Sequence, residues 1–298
     1  MTVDFGSAER HILGLFLPGS VFLFEGVRYS VSFAAKPTCS KGEPKTDVFV
    51  RASSDGCSRD FKISFKKSNA NFLENKINPE RAEQLLGTDW QQIIEKATLA
   101  LKEKFSSRPL VFKKSYRRTK AGAITLGWKF ELLNVKLGEL SGDMLLSRDQ
   151  VVDVYAGTNL EGDKRDASVN GTVIPCSGIA NFILFEEKRP TTAQEAVDRM
   201  VSIDDYVNDH PNIYFACKAL NYRTKEKKYD GNRPLAVYVD WSAQDGKLVS
   251  RLVFDTPLQQ GGKCACGKLL QALKDLGVDS TASLGDHNVK DMSIVWNG

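Results

Sequence analysis

Histidine is scarce in this chain. His11, His210 and His287 lie far apart, and none falls in the spacings of a zinc hydrolase or a serine-histidine site. Cysteine is almost as sparse: six residues in 298, irregularly spaced, exclude a disulfide framework and point to reduced thiols. Cys264 and Cys266 form the only close pair, and no second pair nearby completes a zinc site. No apolar run approaches the roughly 18 residues that span a bilayer. The first residues carry Asp4, Glu9 and Arg10 where a secretory signal has a basic start and a long apolar stretch. The expectation is a cytoplasmic protein with no membrane partner. No Walker loop, dinucleotide fingerprint or internal repeat is present, and Gly261-Gly262 lacks the lysine-serine pair of a phosphate loop.

What remains is the composition of a globular protein, 42% hydrophobic and 26% charged, in a length that suits one large domain or two. A net charge of +4 permits a polyanionic partner without requiring one. The charge is locally concentrated. From Ser106 to Ala121 stand Arg108, Lys113, Lys114, Arg117, Arg118 and Lys120 with no acid, and Phe112 and Tyr116 are interleaved. The loop from Arg223 to Lys228 is a second basic stretch.

Apolar spacing predicts a helix over Ser7 to Phe16 that carries Glu9, then a strand or hairpin over Val21 to Ala35 broken at Glu25-Gly26. A loop from Lys36 to Lys45 precedes two strands, Asp47–Ser53 and Asp60–Lys66, which flank Asp55-Gly56, a dipeptide suited to a type I′ turn. Asn78-Pro79 and Gly87 bound a helix over Pro79 to Leu86. Thr88 and Gln91 suggest a capping box for a second helix reaching Phe105. Pro109–Phe112 and Ile124–Val135 read as strands, Thr158–Val173 as loop, Ile179–Phe185 as an apolar run and Thr191–Val207 as helix. Leu235–Trp241 and Lys247–Phe254 flank Asp245-Gly246 as another hairpin, and a helix covers Lys268–Leu276. The fold class expected is α/β with α+β character, a mixed central sheet flanked by helices.

The first hairpin is the segment with chemistry in it. With the turn at Asp55-Gly56, opposed residues have numbers summing to 111, so Asp47 faces Ser64 and Lys66 lies one alternation further along. Phe61, Ile63 and Phe65 share one face; Asp60, Lys62, Ser64 and Lys66 share the other. A carboxylate opposite a lysine suits metal-assisted phosphodiester cleavage. The acid holds Mg²⁺, with Mn²⁺ able to substitute, and the lysine orients or deprotonates the attacking water and neutralises phosphate charge.

This arrangement resembles the PD-(D/E)xK nuclease superfamily, which includes many type II restriction endonucleases. The resemblance covers about residues 1 to 116, in the order helix, three strands, helix, strand, with the helix drawn from Pro79–Phe105 and the last strand from Pro109–Phe112. It implies a catalytic core over residues 1–120 and an α+β extension over 121–298 that completes the sheet and contacts DNA. By the same resemblance Asp47, in Pro44-Lys-Thr-Asp47, takes the place of the first motif aspartate.

Two placements of the second half-motif stay open. Asp60-Phe61-Lys62 matches the literal pattern and would make Asp60 a metal ligand, but the hairpin register sets Asp60 against Arg51, roughly 13 Å along the ladder from Asp47 at about 3.3 Å per residue. Ser64-Phe65-Lys66 stands at the right height with serine where the family has a carboxylate, and the missing ligand would be Glu9 from the preceding helix.

The implied function is Mg²⁺-dependent cleavage of double-stranded DNA by a sequence-specific, homodimeric, restriction-type enzyme. The alternatives are a phage or repair nuclease of the same core, or an inactive nucleic-acid-binding protein. Candidate DNA contacts are Lys113, Lys114, Tyr116, Arg117, Arg118 and Lys120, with Asn69 and Asn71 after the catalytic strand. The polar cluster of Asp149, Asp153, Tyr155, Lys164, Arg165 and Asn170 suggests a functional loop.

Overall fold

The computed structural model describes residues 5–40, 42–67, 72–186 and 188–298. The chain forms two compact units, each made of two segments: Met1–Leu73 with Leu146–Asn212, and Glu74–Leu145 with Ile213–Gly298. This differs from the expected division at residue 120. The chain leaves the first unit after its third long strand, builds part of the second, and returns to complete the first sheet.

The first unit opens with helix α1 (Phe5–Leu15), followed by strands β1 (Val21–Phe24), β2 (Val27–Ala35), β3 (Val48–Ser54) and β4 (Cys57–Lys67). These four strands run as an antiparallel meander. Their neighbour beyond β4 is Phe182–Glu186, which lies parallel to it, and Val201–Ser202 closes the sheet. The parallel pairing explains the apolar run read at 179–185, because a strand covered on both faces has no solvent side to be polar on. On one face Ala8, Ile12 and Phe16 pack on Val48, Val50, Phe61, Ile63 and Phe65, joined by Ala193, Ala196 and Val197 of the helix Ala193–Asp198. On the other, Phe49 and Ala35 meet Val169 and Ile174.

The β3–β4 hairpin follows the predicted register without a shift: Val48 pairs with Ile63, Arg51 with Asp60 and Ser54 with Cys57. Asp55 and Gly56 both hold positive φ, 44° and 80°, as a type I′ turn demands. Glycine at the second position removes the steric cost of that conformation.

Several sequence expectations are corrected. Val111–Phe112 is a strand, but it pairs with Ala123–Leu133 and Val295–Trp296 in the second unit, so the place expected for it beside β4 belongs to Phe182–Glu186. The helix expected from Thr88 to Phe105 is two helices, Trp90–Leu99 and Lys102–Ser106. Thr98 donates back to the carbonyls of Ile94 and Glu95 just before the break, a bond that competes with the helix ladder. Asp89, without a side-chain cap bond, stands at the N-cap in place of Thr88. Thr191–Val207 is divided into Ala193–Asp198, Val201–Ser202 and a helix Ile203–Asp209, with Ser202 capping the last. Asp149, Asp153 and Tyr155 belong to the helix Arg148–Ala156, which carries a full capping box between Ser147 and Gln150.

The second unit centres on an antiparallel sheet ordered Lys228–Tyr229, Ile213–Arg223, Ala123–Leu133, Val237–Gln244, Lys247–Val253. The long helix Gly262–Asp275 packs on Val237–Gln244. Asn78 caps the helix Pro79–Leu86 by accepting from the Arg81 backbone, as its sequence implies.

Candidate active site

The β-ladder brings Asp47 to the mouth of the first unit's sheet. Its backbone N–H donates to Ile63 O at 2.9 Å, and Ile63 is already the partner of Val48, so Asp47 and Val48 both approach Ile63 and the regular ladder ends before the Asp47–Ser64 rung that the sequence predicts. The Asp47 carboxylate turns onto the partner strand and its Oδ2 accepts from the Phe65 backbone N–H at 2.8 Å. The residues before it are pinned, with the backbone N–H groups of Lys45 and Thr46 both donating to Gly178 O. Lys45 is spent on structure: its Nζ donates to Val154 O at 2.7 Å and Leu73 O at 3.2 Å.

Burial pushes the Asp47 carboxyl up to about 6, against the pull of the Lys66 ammonium and the Phe65 bond; the Glu9 carboxylate raises it further and Lys36 opposes. Asp47 retains some surface, yet its carboxyl lies deep among protein atoms, and it is the carboxyl that pays for desolvation. Those four charges, Asp47, Glu9, Lys36 and Lys66, are therefore one electrostatic group. Lys36 Nζ donates to Glu9 Oε2 at 2.5 Å. Burial weakens the Lys36 charge, but Glu9, then Glu43 and Asp47, outweigh it and leave its ammonium harder to deprotonate than usual. Ser64 is fully buried, and its Oγ has no hydrogen-bond partner among the described residues. An unmatched buried hydroxyl on the strand that receives a recessed carboxylate is costly in an ordinary strand pair.

The other placement of the half-motif is occupied by different bonds. Asp60 accepts a two-pronged ion pair from Arg51, at 2.7 and 2.8 Å, and the guanidinium lies over Phe33 and Phe49. Lys62 donates its Nζ to Cys176 O at 3.0 Å, and burial lowers its proton affinity. Asn181, which the sequence did not flag, straps this region by accepting from Lys62 N and donating to Asp60 O. Asp60 and Lys62 are thus engaged elsewhere, whereas Lys66 and Glu9 act on the Asp47 carboxyl; Ser64 lies buried on the same strand as Lys66. Lys36 was also missed, since a lysine opening a loop carries no motif.

Asn69 and Asn71 lie outside the described residues. Lys113, Lys114, Tyr116, Arg117, Arg118 and Lys120 form a loop of the second unit between Val111–Phe112 and Ala123–Leu133. Cys264 is exposed and Cys266 buried, and both are free thiols. Among the described residues, no three histidine, cysteine, aspartate or glutamate side chains converge as a metal cage, and no helix is long and apolar enough to cross a membrane. Comparison with protein-family models, with curated proteins and with solved structures found no match to this chain.

Proposed function

We propose that this protein is a Mg²⁺-dependent endonuclease that hydrolyses phosphodiester bonds in double-stranded DNA. The observation that carries the reading is the Asp47 carboxylate, recessed at the start of β3, bonded to the Phe65 N–H of the strand that carries Ser64 and Lys66, and acted on by Lys66 and Glu9. Magnesium keeps several waters and needs only one or two protein carboxylates beside a phosphate, so Asp47 with Glu9 suits it without a three-residue cage. When bound, the metal would polarise the scissile phosphate and acidify a water. Lys66 orients that water and offsets phosphate charge, with Ser64 as a hydroxyl partner for substrate or water. Lys36 holds the Glu9 carboxylate in place.

The order α1, β2, β3, β4, helix Arg148–Ala156 and parallel strand Phe182–Glu186 supports the resemblance to the PD-(D/E)xK core, with other segments in the last two places than the sequence suggested. A restriction-type specificity and a homodimer follow from that resemblance and from the need to cut both strands. Ser64, standing where that family has a carboxylate, favours a second reading, a DNA-binding protein without cleavage.

Phage-sized duplex DNA incubated with the protein is expected to give discrete fragments with Mg²⁺ and to stay intact with EDTA. A smear would mean cleavage without sequence preference. Intact DNA at every metal tested would overturn the nuclease reading in favour of the binding one.

A further inference from the structure

The two basic stretches of the sequence, more than a hundred residues apart, meet at one end of the second unit's sheet. Ala123 and Arg223 are paired, so the loop entering the strand Ala123–Leu133 and the hairpin leaving Ile213–Arg223 start from the same rung. Thr224 locks them together: its backbone N–H and its Oγ1 both donate to Gly122 O, at 2.8 and 2.9 Å. Gly122 has φ +87°, and a Cβ there would meet the Lys225 stem at 3.1 Å, so glycine lets the two segments lie in contact. Lys120 pairs with Glu226 across them at 3.6 Å.

The charges at this end are unbalanced. Arg117 is matched by Glu139, Arg223 by Asp230 and Glu226, and Lys120 by Glu226. Lys114, Arg118, Lys225, Lys227 and Lys228 are exposed and make no ion pair among the described residues. Beside them Tyr116 packs at a tilt against Trp296, ring centroids 4.7 Å apart, and the Arg117 guanidinium lies 5.2 Å from the Tyr116 ring centre. Five unmatched cations in two joined segments cost repulsion that a polyanion would relieve.

From this juxtaposition we infer that the end of the second unit built by the 113–122 loop and the 223–228 hairpin is a nucleic-acid-binding surface that grips the phosphate backbone of a duplex. The chemistry favours phosphates in a polymer over a lipid surface. None of the large exposed apolar side chains of the described residues lies in either segment, so the patch has no anchor to enter a bilayer. The inference is independent of cleavage, because backbone binding needs neither Asp47 nor a metal.

The test is binding of the full-length protein to a fluorescein-labelled 30-base-pair duplex in EDTA, followed by anisotropy from 50 to 300 mM KCl. Removing five phosphate contacts is expected to flatten the slope of log K against log salt by up to about 4.5, at about 0.9 per contact, in the variant Lys114→Ala/Arg118→Ala/Lys225→Ala/Lys227→Ala/Lys228→Ala. Affinity at 100 mM salt should fall by at least about 30-fold. The variant Lys274→Ala/Lys290→Ala, with two exposed lysines removed elsewhere in the same unit, should bind as the wild type does. An unchanged slope in the fivefold variant, with circular dichroism showing it folded, overturns the inference. So does wild-type protein that ignores the duplex but binds phosphatidylserine vesicles through these lysines. Wild-type protein that binds the duplex in EDTA and leaves it uncut when Mg²⁺ is supplied would count against the nuclease reading alone.

Discussion

Asp47→Asn is expected to abolish Mg²⁺-dependent cleavage, by at least about a thousandfold, while making the metal-free protein more stable at pH 7.5. The first effect follows from removing the carboxylate that holds the cation. The second follows from linkage. The folded carboxyl takes its proton near pH 6, because burial outweighs Lys66, the Phe65 N–H and Lys36, with Glu9 adding to the rise; the unfolded chain does so near 3.8. Stability from this group is therefore fully present below pH 3.8 and is lost as pH rises through 6. A shift of about two units corresponds to about 3 kcal/mol, and residual solvent contact reduces this to about 1–2 kcal/mol. Asparagine cannot ionise and still accepts from Phe65, so it removes the loss. Urea titrations in EDTA at pH 4 and pH 7.5 check this: wild type should weaken between the two relative to the variant. A variant less stable than wild type at pH 7.5 would show that Asp47 is not a buried, strained acid.

The second large effect is structural. Phe61 stands at the centre of an aromatic group, its ring 5.2 to 5.7 Å from those of Phe22, Phe24, Tyr29 and Phe182, and is 1% exposed. It projects from β4 to the face opposite Ser64 and so supports the strand that carries Ser64 and Lys66. Phe61→Ala is expected to cost about 3–5 kcal/mol, from the lost transfer energy and the cavity left in a sheet gripped from both sides. Equilibrium unfolding in urea measures it. A cost below about 1.5 kcal/mol would mean that the cluster closes over the gap and does not brace the site.

The hairpin was legible because its determinants are local. An Asp-Gly turn and period-two alternation fix a register without reference to the rest of the chain, and that register holds from Ser54–Cys57 to Val48–Ile63; the turning of Asp47 onto Ile63 at its far end had no local signal. Glu9 was placed by resemblance, and its proximity to Asp47 depends on how α1 packs across the sheet. The strand beside β4 was misassigned because parallel pairing is set by a crossover more than a hundred residues long, and Pro109–Phe112 was simply the next extended run in sequence. The helix Arg148–Ala156 has a local signal, the capping box of Ser147 and Gln150, but its acids stand in a stretch whose polar composition reads equally as a loop. Lys36 and Asn181 had no signal at all: each acts on residues distant in sequence, and only the packed sheet brings them together.

The two lysines of the hairpin separate the readings most directly. In a single Mg²⁺ cleavage assay on the same duplex DNA, Lys66→Ala is expected to lose at least about a hundredfold in rate. Lys62→Ala, whose ammonium is occupied by the Cys176 carbonyl, should keep activity within about fivefold of wild type. Activity that survives Lys66→Ala and disappears with Lys62→Ala would contradict the site built on Asp47, Ser64 and Lys66.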